Sequence, residues 1–448
     1  MGREPNTPAD PRYEHWRWRV FAITWLAYAG FYLTRKSFAV AKIGIAADPA
    51  VRIDIEGMSW VDGAYGTAYA VGQFVWGVAG DRAGPRRVVL AGMVGSVLAA
   101  VFMGASSLTV VLGVFFCLQG LFQATGWAPL TKNVGNFFSR RERGSVFGLW
   151  STNYAAGGLI ASAYAGYWGD RLGWRYAFFI PAATLLGIAV LFWLFQRDRP
   201  EDVGLPPIEA YHREPVDVPE EGAGCPAEAG RPAEDPEGSW AATWAVVTNP
   251  NVLVLGLVYF LLKPTRYLIL FWGPKYVAEK LGSGMFASAT LSGLFEAAGV
   301  LSTLAAGFVS DKVFGSRRMP VCVICLLTLG GFLLVFDRLK PDPWVLGAGF
   351  FLIGLLLYGP DSIAAGAAAA DFGTKRGTST AAGWINGWGS VGAVFGMMLP
   401  GFSSRLGWGW GQEFLLLAGM VLLAGLILLP RWNALPVQFA PRDSRGAK

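Results

Sequence analysis

Long apolar runs separated by short polar stretches make up most of the sequence. Each run comes near the roughly 20 residues that a membrane-spanning helix needs. The runs cover residues 18–46, 59–80, 87–106, 109–131, 144–168, 175–196, 249–277, 286–309, 319–336, 344–370, 378–403 and 412–430. Lipid offers the backbone no hydrogen-bonding partner, and the runs lack the alternation of barrel strands, so they are predicted to be helices. The pattern predicts an all-α integral membrane protein with twelve transmembrane helices.

A longer polar segment separates the sixth run from the seventh. It is rich in Pro, Gly, Ala, Glu and Asp, as in PEEGAGCPAEAGRPAEDPEG, a composition typical of disordered linkers. The predicted organisation is a cytoplasmic tail, a six-helix bundle, an acidic cytoplasmic linker, a second six-helix bundle and a second cytoplasmic tail. These parts cover residues 1–17, 18–197, 198–246, 247–431 and 432–448, in that order.

The two predicted bundles resemble each other. GVAGDR recurs as GFVSDK, RRERGSVFGLW as GTKRGTSTAAGW, and GDRLGWRY as SSRLGWGW, at offsets of about 230, 233 and 234 residues. A steady offset over several landmarks predicts two pseudo-symmetric halves, a design common in secondary transporters. The first motif ends in an acidic and a basic residue near a helix end, which favours a gating latch between helices. These gating-loop residues are Asp81, Arg82, Asp311 and Lys312.

Composition agrees with the membrane prediction. The chain is 53% hydrophobic and only 15% charged, whereas soluble domains carry about 25% charged residues. The net charge of the chain is +6. The predicted linker contributes about −9 of it, so the rest of the chain carries about +15. Lys and Arg cluster in the loops that share a side with the linker and both termini, which predicts that this side is cytoplasmic. The clusters lack the stripe with stacking aromatics of nucleic-acid-binding proteins, so no nucleic-acid partner is expected.

Basic residues also lie inside the apolar runs. Arg35 in the first run and Arg266 in the seventh are about 231 residues apart and occupy equivalent places in the two halves. A buried Arg costs about 2.5–3.5 kcal/mol on insertion scales, so a matched pair predicts a cationic site for phosphate or carboxylate. The alternative is that the first helix ends early and Arg35 snorkels to the headgroups. Lys263 is predicted to share the face of Arg266, and Lys36, about 100° around the helix from Arg35, to pack elsewhere.

Two acidic residues in the second half are candidates for ion pairing or coupling. Glu296 is expected to pair with Lys263 or Arg266, and the alternative is that it carries a proton. Asp361 is expected to face inward or to lie near a helix break after Gly359-Pro360.

Metal-binding and catalytic residue sets are not evident in the sequence. Cys322 and Cys325 form a C-x-x-C within an apolar run and are interpreted as packing residues. Both histidines, His15 and His212, lie outside the apolar runs. We therefore expect no metal, no cofactor and no enzymatic activity, and we expect a monomer.

The chain resembles the major facilitator superfamily and, within it, the organophosphate:phosphate antiporter family. That family includes bacterial glycerol-3-phosphate and hexose-phosphate transporters and the sugar-phosphate exchangers of the endoplasmic reticulum. The matching stretches are YLTRKSFAVAK, GWAPLTKN, RERGSVFGLW, DRPEDVGLPPIEAY, RYLILFW, FEAAG and YGP.

The resemblance implies a binding site. It implies that Arg35 and Arg266 bind the phosphate group of the substrate. The other substrate-binding candidates are Lys263, Tyr28, Tyr32, Tyr69, Trp127, Tyr154, Tyr358 and Asn386. Tyr154, Gln73 and Lys263 stand where many members have a histidine, a lysine and a tyrosine, so the particular organophosphate stays open.

The leading hypothesis is exchange of a phosphorylated small metabolite for inorganic phosphate by alternating access. The bacterial inner membrane is the expected location. Two alternatives remain open at this point. One is proton-coupled symport of another organic anion, with Glu296 or Asp361 taking the proton. The other is a transporter-like membrane sensor of sugar phosphate.

Overall fold

The computed structural model describes residues 10–139, 143–211, 248–315, 317–364 and 378–433. Within these ranges the chain is almost entirely helical. The α-helices are α1 (Pro11–Arg35), α2 (Ser37–Ala47), α3 (Ile55–Ala83), α4 (Pro85–Ala105), α5 (Thr109–Gln123), α6 (Trp127–Phe137), α7 (Arg143–Trp150), α8 (Thr152–Leu172), α9 (Tyr176–Phe195), α10 (Ile208–Tyr211), α11 (Pro250–Leu281), α12 (Met285–Lys312), α13 (Met319–Phe336), α14 (Pro343–Ser362), α15 (Thr378–Arg405) and α16 (Trp410–Leu428). Short 3₁₀ turns cover Pro200–Val203 and Leu429–Arg431.

These helices correspond to the twelve predicted spans. The first, fourth and fifth spans are each interrupted by a turn and form α1 with α2, α5 with α6, and α7 with α8. Eight spans are long and apolar enough, by length and composition, to cross a membrane within the described ranges. The other four, α1 with α2, α3, α7 with α8, and α15, are interrupted or richer in polar residues. The prediction of an all-α membrane protein with two six-helix bundles is confirmed.

The start of the first helix differs from the prediction. Helix α1 begins at Pro11 rather than at residue 18, because Asp10 caps it by accepting a hydrogen bond from the Arg12 backbone N–H at 2.8 Å. Most of the predicted linker (residues 212–246) and the chain ends (residues 1–9 and 434–448) lie outside the described residues.

Close glycine contacts pack the helices within each bundle. A Cβ at Gly120 of α5 would lie 2.4 Å from the Tyr65 carbonyl of α3. A Cβ at Gly354 of α14 would lie 2.2 Å from the Phe295 carbonyl of α12. Small residues let transmembrane helices approach to backbone contact, which gains dispersion energy that lipid cannot supply. The same device therefore operates at comparable places in the two bundles.

The described contacts between the bundles concentrate at the end of the molecule where α2 finishes. A Cβ at Gly166 of α8 would lie 2.7 Å from backbone atoms of Met285 and Phe286 in α12. The Asp170 carboxylate accepts the backbone N–H groups of those two residues at 2.7 and 2.8 Å, at the start of α12. Acceptors at a helix N-terminus satisfy its free N–H groups and its dipole. The bundles are thus joined tightly at this end, which we call the closed end.

Candidate functional site

A cavity lies between the two bundles, above the closed end. Its empty volume is about 670 Å³ with its open mouth included. Polar and aromatic side chains from both bundles line it, among them Tyr32, Arg35, Tyr65, Tyr69, Arg266 and Tyr267. The two matched arginines predicted from the sequence therefore meet at one site.

Arg35 is held by neutral partners. Its Nε donates a hydrogen bond to Gln123 Oε1 at 2.8 Å, and its guanidinium lies 4.5 Å from the Tyr32 ring and 4.9 Å from the Tyr69 ring. Its Nη2 is buried and has no hydrogen-bonding partner among the described residues. Arg35 forms no ion pair within the part of the chain that the structure describes. The side chain points into the cavity instead of snorkelling, so that alternative is wrong.

Gln123 organises this corner and was missed by sequence reasoning. Its Oε1 also accepts a hydrogen bond from the Tyr65 hydroxyl at 2.9 Å, and its Nε2 donates to Thr34 at 3.1 Å. Gln123 is fully buried. A glutamine inside an apolar run is a sequence signal for such a residue, because a buried amide needs hydrogen-bonding partners.

Arg266 is held by a carboxylate. Its Nη1 donates to Asp361 Oδ2 at 2.6 Å, and the guanidinium lies 4.6 Å from the Tyr358 ring. Asp361 also forms an ion pair with Lys263 at 3.0 Å. Asp361 lies in α14 directly after Pro360, and its carboxylate is turned toward α11. One acid therefore serves two bases of α11.

Glu296 does not pair with Lys263 or Arg266, and that prediction is wrong. Glu296 pairs with Lys36 at 2.8 Å, and Lys36 also donates to the Leu270 carbonyl at 3.3 Å. Lys36 lines the same cavity as Arg35, which the helical-wheel angle did not predict. The backbone at Lys36 stays in the right-handed helical region and its N–H donates to the Tyr32 carbonyl at 3.0 Å, so the two neighbouring side chains border the cavity although α1 and α2 follow one another as helix.

The predicted aromatic residues surround the arginines at different depths. The Tyr28 ring lies 5.4 Å from that of Trp127 and 5.9 Å from that of Tyr32, which extends the aromatic wall into the N-terminal bundle. The Tyr69 ring stacks on Tyr65 at 6.0 Å. These rings offer the cavity apolar faces together with hydroxyl groups.

Tyr358 and Tyr154 lie near the boundary of the two bundles. Tyr358 is buried beneath Arg266. Tyr154 is half-buried and packs both against the core of the N-terminal bundle and against a core that contains residues of both bundles. Asn386 is exposed on α15, one turn before Ser390, whose side chain lines the cavity. The structure thus separates Asn386 from the cavity wall.

The gating-loop prediction falls partly outside the described residues. The backbones of Asp81 and Arg82 end α3, and that of Asp311 lies in the last turn of α12, but their side chains are not described. Lys312 is exposed at the end of α12. The predicted latch stays a prediction.

A further buried ion pair lies below the cavity. Lys42 of α2 pairs with Asp62 of α3, and both side chains are fully buried. Lys42 also donates to the Phe271 carbonyl at 3.0 Å and lies 3.6 Å from the Trp272 ring. Sequence reasoning did not single out this pair, which links the N-terminal bundle to α11 at the closed end.

The charges around the cavity do not cancel. Arg35, Lys36, Lys263 and Arg266 face the two carboxylates Glu296 and Asp361, which leaves +2 among these described groups. A net positive charge in a desolvated site calls for an anion. Guanidinium groups offer parallel N–H donors that match phosphate oxygens.

Comparison with known proteins agrees with this architecture. The sequence profile of the Major Facilitator Superfamily matches residues 24–360. A probable hexose phosphate transport protein of Chlamydia pneumoniae is 30% identical over 433 residues, which cover 96% of this chain and 94% of that protein. The glycerol-3-phosphate transporter of Bacillus subtilis is 29% identical over 446 residues, covering 96% of each. The membrane sensor protein UhpC of Escherichia coli is 29% identical over 435 residues, covering 95% and 94%.

The fold agrees with a solved structure as well. A bacterial homologue of the human lysosomal transporter Spinster, in its inward-facing and occupied conformation, superposes with a TM-score of 0.68 at 14% identity. The match covers 95% of this chain and 98% of that one, and it concerns the fold alone.

Two six-helix bundles around a charged central cavity define a multi-pass membrane protein of the major facilitator type. The chain belongs to the Major Facilitator Superfamily and, within it, to the organophosphate:phosphate antiporter family. The resemblance seen in the sequence is confirmed.

Proposed function

We propose that this protein is a secondary transporter that exchanges a phosphorylated small metabolite for inorganic phosphate by alternating access. Relatives named as hexose phosphate and glycerol-3-phosphate transporters and as a glucose-6-phosphate exchanger support the organophosphate as substrate. Inorganic phosphate as the counter-substrate is inferred from the chemistry of the site.

One observation carries the proposal. Arg35 lines the cavity, and its buried Nη2 has no hydrogen-bonding partner among the residues that the structure describes, while Arg266 of the other bundle lines the same cavity. A buried donor without an acceptor costs about 1–3 kcal/mol, and more when it is charged. A phosphoryl group between the two arginines would satisfy that donor and neutralise the excess of +2.

The aromatic wall is suited to the rest of the substrate. Tyr65, Tyr69 and Tyr267 line the cavity beside Ser390 and Gln73, so hydroxyl and amide groups accompany apolar ring faces. This mixture favours a small polyhydroxylated group over a long apolar chain.

The arrangement explains why exchange would be obligatory. In the described structure the bundles are joined at the closed end, and transport requires them to rock about the cavity and open that end. An anion held by both arginines would neutralise charges that otherwise repel across the bundle boundary. The loaded protein would therefore change conformation more readily than the empty one.

We propose that the protein lies in a bacterial inner membrane with both termini in the cytoplasm. Basic residues of the predicted loops support that orientation. The site is built within one chain, and we propose that the monomer is the working unit.

Reconstituted vesicles test the exchange directly. Proteoliposomes loaded with radiolabelled phosphate should release it when glycerol-3-phosphate or glucose-6-phosphate is added outside, and not when buffer alone is added. Arg35→Ala and Arg266→Ala should each abolish release, whereas Arg338→Ala, at an exposed loop position, should not. Undiminished release by either cavity variant would overturn the proposed clamp.

The same vesicles separate exchange from the two alternatives. Uptake driven by a pH gradient into vesicles without internal phosphate would support proton-coupled symport. Binding of the organophosphate by the purified protein, without any release of phosphate, would support a sensor like the named Escherichia coli relative.

A further inference from the structure

The two cavity arginines are held in chemically different ways. Arg35 rests on the neutral amide of Gln123, whereas Arg266 rests on the carboxylate of Asp361. A carboxylate 2.6 Å from a guanidinium fixes its orientation well, but it also cancels its charge. Taken alone, Asp361 would make Arg266 a poor partner for a phosphate.

Lys263 changes that balance. Its Nζ lies 3.0 Å from the second oxygen of Asp361, so one carboxylate is shared by two bases. The group of Lys263, Arg266 and Asp361 keeps a charge of +1, equal to the charge of Arg35. Charges this close, in a site largely removed from water, act on a ligand nearly as a sum.

Lys263 and Asp361 stand behind Arg266 rather than beside the ligand space. Arg266 and Tyr267 belong to the cavity wall, and Lys263 and Asp361 do not. The side chains of Lys263 and Asp361 are only 10% and 9% exposed. The Lys263 ammonium lies 4.4 Å from the Tyr259 ring and 5.7 Å from the Tyr267 ring, so aromatic side chains stand between it and the cavity.

We infer that Asp361 is a positioning residue for Arg266, that Lys263 offsets the charge of Asp361, and that neither residue contacts the substrate. The inference rests on the proposed function and revises the prediction that Lys263 binds substrate. The site thereby gains a rigidly oriented Arg266 without losing positive charge.

Phosphate self-exchange by proteoliposomes tests this inference through apparent KM. Lys263→Met leaves Asp361 to neutralise Arg266, and we expect KM for inorganic phosphate to rise about tenfold with a smaller change in maximal rate. Lys263→Met/Asp361→Asn restores the original charge and keeps an amide oxygen that can accept the hydrogen bond from Arg266. We therefore expect KM within about threefold of the unmodified protein. Lys340→Met, at an exposed loop position, serves as the control for loss of a lysine.

The double variant decides between positioning and direct contact. If Lys263 contacted phosphate, the double variant would bind phosphate as poorly as Lys263→Met, and the inference would be overturned. The double variant carries this test by itself if Lys263→Met does not fold. If the unmodified protein exchanges no phosphate, the proposed function is overturned instead. A binding assay that compares the phosphate affinity of the unmodified protein with that of the double variant would still test the inference.

Discussion

The ammonium group of Lys36 lies 2.8 Å from the carboxylate of Glu296, and this ion pair joins the two bundles inside the membrane domain. Lys36 follows the last residue of α1, and Glu296 lies in the middle of α12. Both side chains are at least 93% buried. The pair therefore links the bundles close to Arg35, on the boundary that must move during transport.

Removing one partner of this pair should destabilise the protein. Lys36→Met leaves Glu296 buried and unpaired, and breaking a buried pair typically costs about 3–5 kcal/mol. We expect Lys36→Met/Glu296→Gln to be less destabilised than the sum of the single variants, measured by thermal unfolding in detergent. Lys280→Met breaks the pair with Asp337, whose side chains are 26% and 27% exposed and so reach solvent, and it should cost less, about 1 kcal/mol. Additive effects of the two buried substitutions would contradict this prediction.

Gln123 should tune the charge of Arg35. Gln123→Glu places a carboxylate next to the Arg35 Nε and neutralises one positive charge of the cavity. The apparent KM for phosphate should rise tenfold or more, which corresponds to a loss of ~1.4 kcal/mol of binding free energy. Gln123→Leu removes the acceptor but adds no charge, so its KM should rise less. Phosphate exchange in vesicles measures both values. Gln412→Glu, at an exposed position, is the matched control, and a Gln123→Glu protein with unchanged KM would refute the prediction.

The glycine contacts within the bundles should tolerate no side chain. Gly120→Ala and Gly354→Ala would press a Cβ against a backbone carbonyl that cannot move aside, and overpacking costs about 1–3 kcal/mol. Their unfolding temperatures should fall. Gly187→Ala and Gly331→Ala, where a Cβ meets nothing within 4 Å, should leave the unfolding temperature unchanged or raise it. If the unfolding temperature changed equally at the packed and the open positions, the close glycine contacts would not be what determines the stability of the helix packing.

The rim of the closed end should respond to acid. Arg405 pairs with Glu56 across the bundles, and its hydrogen bonds lower the pKa of Glu56 below the ordinary value. Because the pKa is depressed in the closed form, the pairing is complete above the ordinary Glu pKa of about 4.3 and is lost as the pH falls through the lowered value. The closed population should therefore decrease in that acidic range and stay constant above it.

Spin labels on Leu108→Cys and Leu406→Cys, two exposed positions near this rim, measure the population as a distance distribution. Glu56→Gln should show a weaker closed population at neutral pH and little further change in acid. An acid response of equal size in Glu56→Gln would assign the effect to another group, such as Asp54, which also acts on Arg405.

The sequence by itself determined the class of fold and the two arginines. Helix count follows from apolar run length, because lipid forces each run to satisfy its backbone internally. The placement of Arg35 and Arg266 at one site follows from the steady repeat offset, since equivalent positions in pseudo-symmetric halves meet at their common interface. Both inferences rest on local pattern and need no knowledge of side-chain contacts.

Only the tertiary structure decided which charges pair. Lys36 lines the cavity together with Arg35, because the width of the cavity depends on how the two bundles pack, which a helical wheel does not contain. Glu296 forms an ion pair with Lys36 of the other bundle, while Asp361 forms ion pairs with both Lys263 and Arg266. An ion pair forms only within about 4 Å, a distance that depends on how separate helices pack, whereas sequence pattern fixes only the face and depth of each residue.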